Sequence, residues 1–248
     1  IKSVIADLNR DFDLWQISTS YEYFIRAFCD AVEFNFAKAR CTVVTGFDQL
    51  PVSEKEEGEL LALMLQVANM PTIEYDINTG EVEPEHQANY DFITHMIWEV
   101  VAKMPIGQLL GTVYPVGQAQ KREAMVTILN DSRASMSRAM YVGDSQTDVQ
   151  CVEYLRNHGL TMMFNGKGRA FELSHIAYIG EDARAIGEVA RRFAELGRDG
   201  VIDFYSSPRE AECGGLIASI TPEGVEELHT LSVKKRKEFR GVNIGLLT

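Results

Sequence analysis

Residues 142–148, Val-Gly-Asp-Ser-Gln-Thr-Asp, set two carboxylates four positions apart, with a glycine before the first and two hydroxyls between them. Carboxylates held this close repel each other unless a proton or a cation intervenes. A hard divalent ion such as Mg²⁺ resolves the conflict, because it takes oxygen ligands and usually only one or two carboxylates from protein. Asp144 and Asp148 are therefore candidate metal ligands, with Ser145 and Thr147 as supporting partners. The bland alternative is a turn aspartate followed by one that complements a helix dipole. The apolar stretch before Gly143 and the Gly-Asp-Ser-x-Thr-Asp wording favour the metal.

Three further segments carry groups suited to an anion. Ser18 and Thr19, with Ser20, follow the apolar "LWQI" and precede a helix-like stretch, where hydroxyls and unpaired backbone amides form an anion site; a plain N-cap is the commoner use of such residues. Lys121 lies early in a helical pattern and could fold over the same sheet edge to neutralise a phosphate; alone, it would read as a solvated lysine. "FNGKGRAFE" follows a strand-like run and offers Asn165 or Lys167 to a substrate. It lacks the third glycine of a dinucleotide fingerprint, which argues against NAD.

The elements that must position these groups alternate. "RAMYVG" is strand-like, Thr147–Asn157 helix-like, "LTMMF" and "IAYI" strand-like, and Ala183–Leu196 helix-like. That order predicts an α/β fold, with a parallel, Rossmann-like sheet covered by helices on both faces. Ligands bind beyond the carboxyl ends of such strands, which is where Asp144 falls. Upstream, a helix is predicted to end near Leu8, "FDLWQI" (Phe12–Ile17) reads as a buried strand, and Ser20 as the N-cap of a helix over Tyr21–Val32. "CTVVTG" (Cys41–Gly46) reads as a second strand. Ser53-Glu54-Lys55-Glu56 is a capping box, and Tyr90–Met104 is amphipathic. An acidic, Gly/Pro-bearing loop lies between them, from Met70 to Gln87. Residues 46–114 thus interrupt the alternation as an inserted, mainly helical cap, between core segments 1–45 and 115–215. Residues 216–248 form a strand and a charged final helix.

Composition narrows the classes. The chain has 248 residues, 46% of them apolar, enough for one large domain with an inserted lobe. No apolar run is long enough to span a bilayer, and no charged-then-apolar leader is visible. A net charge of −12 argues against nucleic-acid partners. Cys29, Cys41, Cys151 and Cys213 show no CxxC spacing, which fits a reducing cytoplasm better than disulfides or structural zinc. The scattered histidines give no HExxH, and no GxSxG is present. The basic run Lys234–Lys237 reads as a solvated helix face, with docking to an acidic partner as the alternative.

Taken in order, Ser18 after the first strand, Lys121 on a helix, and Gly143-Asp144-Ser145-x-Thr147-Asp148 after the next strand resemble the haloacid-dehalogenase-like phosphohydrolases, across roughly 1–45 and 115–200. "VGQAQKREAM" looks like the lysine segment of the phosphoserine-phosphatase-like branch. "ISTSYEYFIRAFCDAVEF" and "FNGKGRAFELSHIAYIG" resemble an archaeal subgroup often labelled as an accessory subunit of an energy-converting hydrogenase. The resemblance implies a Mg²⁺-dependent phosphomonoesterase acting on a small phosphorylated substrate. In the family, an aspartate nucleophile forms a phospho-aspartate that water then cleaves. By position Ser18, Lys121 and Asp144 would be the catalytic set. Ser18, Thr19, Lys121 and Asn165 would hold phosphate oxygens, and Asp144 and Asp148 the metal. The cap would cover the site and choose the substrate.

One partner is missing. The family nucleophile lies in an acidic motif ending a strand upstream of the Ser/Thr motif, and only Asp11-Phe12-Asp13 has that spelling here. That motif opens the strand that leads to Ser18, about 16 Å away at roughly 3.3 Å per residue, so it sits at the wrong edge and reads as turn residues. Because the chain starts at Ile1 rather than Met, the expectation is that the parent protein supplies the strand. That missing N-terminal segment, or a second copy of the chain, would complete the sheet, and this chain alone would have little phosphatase activity. The rival expectation is a non-catalytic subunit of a hydrogenase or other redox assembly; an anion-binding module is a third.

Overall fold

The structure is a computed structural model that describes residues 1–45, 52–73 and 81–244. In chain order the elements begin α1 (Lys2–Asp11), β1 (Gln16–Tyr21), α2 (Glu22–Val32), β2 (Ala39–Val44), α3 (Glu54–Ala68), α4 (Gln87–His95), β3 (Val113–Tyr114) and α5 (Gln118–Asp131). They continue β4 (Met140–Gly143), α6 (Val149–Leu155), β5 (Leu160–Phe164), α7 (Arg169–Leu173), β6 (Ile176–Ile179), α8 (Arg184–Phe204), β7 (Arg209–Glu210), β8 (Leu216–Ser219) and α9 (Val225–Ile244). The chain divides into two compact units, Ile1–Cys41 with Val116–Thr248, and Thr42–Pro115.

The larger unit is mixed α/β. Its main sheet runs β4-β5-β6-β8-β7. The β4–β5 and β5–β6 pairs are parallel, with Val142 opposite Met162 and Met163 opposite Ala177. β8 joins β6 antiparallel, and β7 joins β8 the same way. Side chains alternate across a strand, so a sheet needs two partners to bury both faces. Leu160, Met162, Ile176 and Tyr178 pack on one face against Ala185, Val189 and Phe193 of α8. Met163, Ala177 and Ala218 pack on the other against Val149 and Val152 of α6, Ala170 and Phe171 of α7, and Leu228 of α9. All four members of the first strand set are fully buried. A third cluster joins Ile25, Cys29 and Val32 of α2 to Ala39 and Cys41 of β2. The fourth joins Met125 of α5 to Cys151 and Leu155 of α6, with Ile17 of β1 and Tyr141 of β4 packed on it.

Several boundaries differ from the sequence expectation. α1 runs on to Asp11, and β1 starts only at Gln16. Between them Asp13 accepts hydrogen bonds from Trp15 Nε1 (3.0 Å) and Lys38 Nζ (2.7 Å), which pin the stretch as a connection rather than a ladder strand. Ser20 does not cap α2. It stays in β1, its N–H donates to Ser18 Oγ (3.1 Å), and α2 opens at Tyr21 with no side-chain cap. α8 continues past Leu196 to Phe204, kinked where Gly197 adopts φ 70°, a conformation glycine enters without steric cost.

In the smaller unit, α3 opens on the predicted capping box. Ser53 Oγ accepts from Glu56 N, and Glu56 Oε2 accepts from Ser53 N. Glu56 Oε1 also takes the Ile106 N–H at 3.1 Å, tying the helix start to the later segment. α4 ends at His95. The path continues as a π turn (Met96–Val100) and a 3₁₀ turn (Val101–Lys103), not as one α-helix to Met104. Val43 and Val44 of β2 pair antiparallel with Tyr114 and Val113 of β3. Gly46, the expected end of β2, and residues 74–80 of the acidic loop lie outside the described residues. Among the described residues no helix is long and apolar enough to cross a membrane.

Candidate functional site

β4 ends at Gly143, and the chain turns through Asp144 and Ser145 into a 3₁₀ turn, Gln146–Asp148, that leads into α6. Ser145 is the N-cap of this turn. Its hydroxyl accepts from the Asp148 N–H while the Asp148 carboxylate reaches back to the Ser145 backbone, a complete capping box. Thr147 Oγ1 lies 3.0 Å from Ser145 Oγ and steadies it. Gly143 is required by close approach, not by its torsions. A Cβ there would sit 2.8 Å from Asp148 Cγ and 2.9 Å from Asp148 Cβ.

Asp148 is 2% exposed, and its two oxygens are fully engaged. Oδ1 accepts from Lys121 Nζ (2.8 Å) and Tyr141 OH (2.7 Å). Oδ2 accepts from the backbone N–H groups of Asp144 (3.1 Å) and Ser145 (3.0 Å), and from Ser145 Oγ (3.2 Å). Burial pushes this carboxyl's pKa up. The charge and hydrogen bond of Lys121, with the Tyr141 and Asp144 bonds, outweigh it and hold the pKa below the ordinary value. Burial, with Asp148 beside it, pushes the Tyr141 phenol far upward, so it remains a donor. Five donors engage the Asp148 carboxylate, which serves here as counter-ion to Lys121 and clamp of the loop. Lys121 in turn is 7% exposed, not solvated.

Asp144 is more open, with 37% of its side chain exposed. Its Oδ2 accepts from Arg236 Nη1 at 2.8 Å, and its backbone oxygen from the same nitrogen at 2.9 Å. Arg236 Nη1 also lies 3.3 Å from the Asn165 backbone oxygen. The Asp144 donors are hard oxygens, which suit Mg²⁺ if substrate oxygens and water supply the remaining ligands. Among the described residues, no group of three or more His, Cys, Asp and Glu side chains gathers as a ready metal cage.

The remaining candidates divide. Ile17 packs on the cluster formed by α5, α6 and β4, so β1 is brought beside the lysine helix. Strand alternation puts Thr19, not Ser18, on the same face as Ile17. Ser18 accepts from Ser20 N within its own strand, and Thr19 is exposed. Asn165 spends its side chain on the sheet ends. It is 7% exposed at φ 46°, and its amide bridges the ends of β5 and β6. Nδ2 donates to the Gly180 oxygen (2.7 Å), and the Gly180 N–H donates to Oδ1 (3.0 Å).

Sequence reasoning missed α9 as part of this site. His229 Nε2 accepts from Gly168 N (3.0 Å), Ser232 Oγ donates to the Gly166 oxygen (2.8 Å), and Arg236 reaches Asp144 and Asn165. Positions 229, 232 and 236 share one helix face. Of the run expected to be a solvated face, Lys234 and Lys237 are exposed, but Arg236 is 6% exposed. The available signal was the i, i+3, i+7 polar series beginning one residue after the buried Leu228.

No protein-family model matches the chain, and no curated protein matches it. Among solved structures the chain is similar to the gene product AF1437 from Archaeoglobus fulgidus, with a TM-score of 0.75 at 21% identity, over 97% of this chain and 69% of that one. At that identity the likeness is one of fold.

Proposed function

We propose that this chain is the larger part of a Mg²⁺-dependent phosphomonoesterase of the haloacid-dehalogenase-like kind, with a Rossmann-like core. One observation carries the reading. A buried ammonium, Lys121, is fixed by Asp148 at the carboxyl end of a parallel strand, next to the partly exposed carboxylate of Asp144. Phosphoryl transfer needs positioning and charge neutralisation more than covalent chemistry from the protein. Lys121 would neutralise phosphate oxygens, and Asp144 would hold the metal, which polarises the phosphoryl group. Thr19, on the same face of β1 as Ile17, would add a donor.

The sheet edges support the same reading. Among the described residues β4 has only β5 as a ladder neighbour, and β1 only β2. Ile17 and Tyr141 nevertheless share one apolar cluster. Edge strands present unpaired backbone groups, and an acidic strand seated between β1 and β4 would pair with both and bring its carboxylate to Asp144. The test is Mg²⁺-dependent phosphate release from an aryl phosphate and a panel of small phosphomonoesters. It is run on this 248-residue chain and on the full product of its parent reading frame. Turnover by the full product, lost in Asp144→Asn, with little from the 248-residue chain, is the expected result. Absence of turnover and of phosphate binding in both refutes the proposal.

A second reading is a non-catalytic relative serving as a subunit of a redox assembly. The Arg236 contact favours it, since a buried guanidinium occupies the carboxylate that a catalytic metal needs.

A further inference from the structure

A single cationic nitrogen, Arg236 Nη1, lies within 3.3 Å of three oxygens: Asp144 Oδ2, the Asp144 backbone oxygen and the Asn165 backbone oxygen. One carboxylate and two carbonyls converging on a positive centre make a cation site, whichever cation fills it. Arg236 fills it at a cost. The residue is 6% exposed, and its other two nitrogens, Nε and Nη2, are buried with no hydrogen-bond partner. A guanidinium carries five donors, and a buried donor left without a partner is destabilising because it forfeits its hydrogen bonds to water. Its neighbours on α9 hold it there. Ser232 Oγ is tied to the Gly166 oxygen, and His229 Nε2 to the Gly168 N–H.

We propose that Arg236 and a divalent metal ion compete for these three oxygens, so that α9 is a latch whose guanidinium keeps the site filled until the ion displaces it. The inference rests on the reading of Asp144 as a metal ligand and adds two backbone carbonyls and a competitor to it. On displacement the arginine returns to water, its two orphaned nitrogens regain partners, and Mg²⁺ takes the oxygens with water completing its shell. A latch that is closed most of the time weakens apparent metal affinity in proportion to its open fraction. Opening the latch therefore strengthens binding without changing a ligand.

The test is Mn²⁺ binding, followed by the loss of the free-ion electron paramagnetic resonance signal, with Mg²⁺ competition. It compares the wild-type chain with Arg236→Ala, with His229→Ala/Ser232→Ala and with Asp144→Asn/Arg236→Ala. Circular dichroism confirms that each variant folds. The expected result is affinity at least about tenfold higher in Arg236→Ala and intermediate in the His229/Ser232 variant, where the arginine remains but its helix is untied. The Asp144→Asn/Arg236→Ala variant should lose that gain. Hydrogen exchange in the wild-type chain supplies a readout that needs no substitution, and amides of α9 around Arg236 should exchange faster when Mg²⁺ is added. If the Asp144→Asn/Arg236→Ala variant binds Mn²⁺ more weakly than wild type but Arg236→Ala binds no tighter than wild type, the latch is overturned and the metal reading stands. If no variant binds Mn²⁺, both fall together.

Discussion

Replacing Lys121 with Met removes one half of an ion pair whose side chains are 8% and 3% exposed, while keeping most of the stem's volume. The Asp148 carboxylate left behind keeps four of its five donors: Tyr141 OH, two backbone N–H groups and Ser145 Oγ. Breaking a buried pair typically costs about 3–5 kcal/mol, and the surviving donors place Lys121→Met at the low end, about 3 kcal/mol. Asp148→Ala strands more. The ammonium, the phenol and the loop amides all lose their acceptor, so its cost lies at the top of that range, about 5 kcal/mol. The double variant should cost less than the sum by about 2 kcal/mol, because the second change relieves the charge stranded by the first. Urea denaturation measures this, read from Trp15 fluorescence in a Trp98→Phe background, since one tryptophan lies in each compact unit. The gap between wild type and Lys121→Met also has a pH signature. The Asp148 pKa is lowered by folding, so its contribution is complete above the unfolded value and disappears as pH falls through the folded one. Additive costs within about 0.5 kcal/mol, or a gap unchanged down to pH values below about 3, would refute the picture of a buried, mutually dependent pair.

Gly143→Ala should cost about 1–3 kcal/mol in the same titration, because the added methyl meets Asp148 Cγ at 2.8 Å; a neutral result would mean the clamp is not tight. His175 should make the chain more stable as pH rises from about 4 towards 6.5. Burial holds its folded pKa at about 4, against an ordinary 6.5, and its Nδ1 accepts the Thr161 N–H, so the unfolded chain binds the extra proton. His175→Asn should flatten the melting temperature over that window, and an unchanged slope would exclude this histidine as the source. Asn165→Ala should cost about 2–3 kcal/mol, combining a left-handed backbone with two lost bonds to Gly180, and Asn165→Gly should recover only the backbone part. Equal costs for the two substitutions would show that φ at 165 carries no penalty.

Local signals in the sequence carried far. The β–α alternation from Met140 to Phe204 follows from short apolar runs separated by amphipathic stretches, and the capping box at Ser53 is a three-residue pattern that acts within one helical turn. The glycine ahead of the acidic pair is visible in the sequence, and its close approach to Asp148 is a contact within five residues. These features depend on neighbours a few residues away, so composition and spacing fix them. Boundaries in β1 and α2 were less legible, because Asp13 and Ser20 find partners that propensity does not see. What the tertiary structure alone decided is which charge meets which. The same spelling, Asp-x-x-x-Asp, yields one carboxylate sealed by Lys121 and Tyr141 and another held by Arg236, 92 residues away in the chain. A lysine on α5 and an arginine in a basic run look solvated in sequence. They become buried only because helix packing against the sheet removes water from them, and a buried charge must then find its opposite.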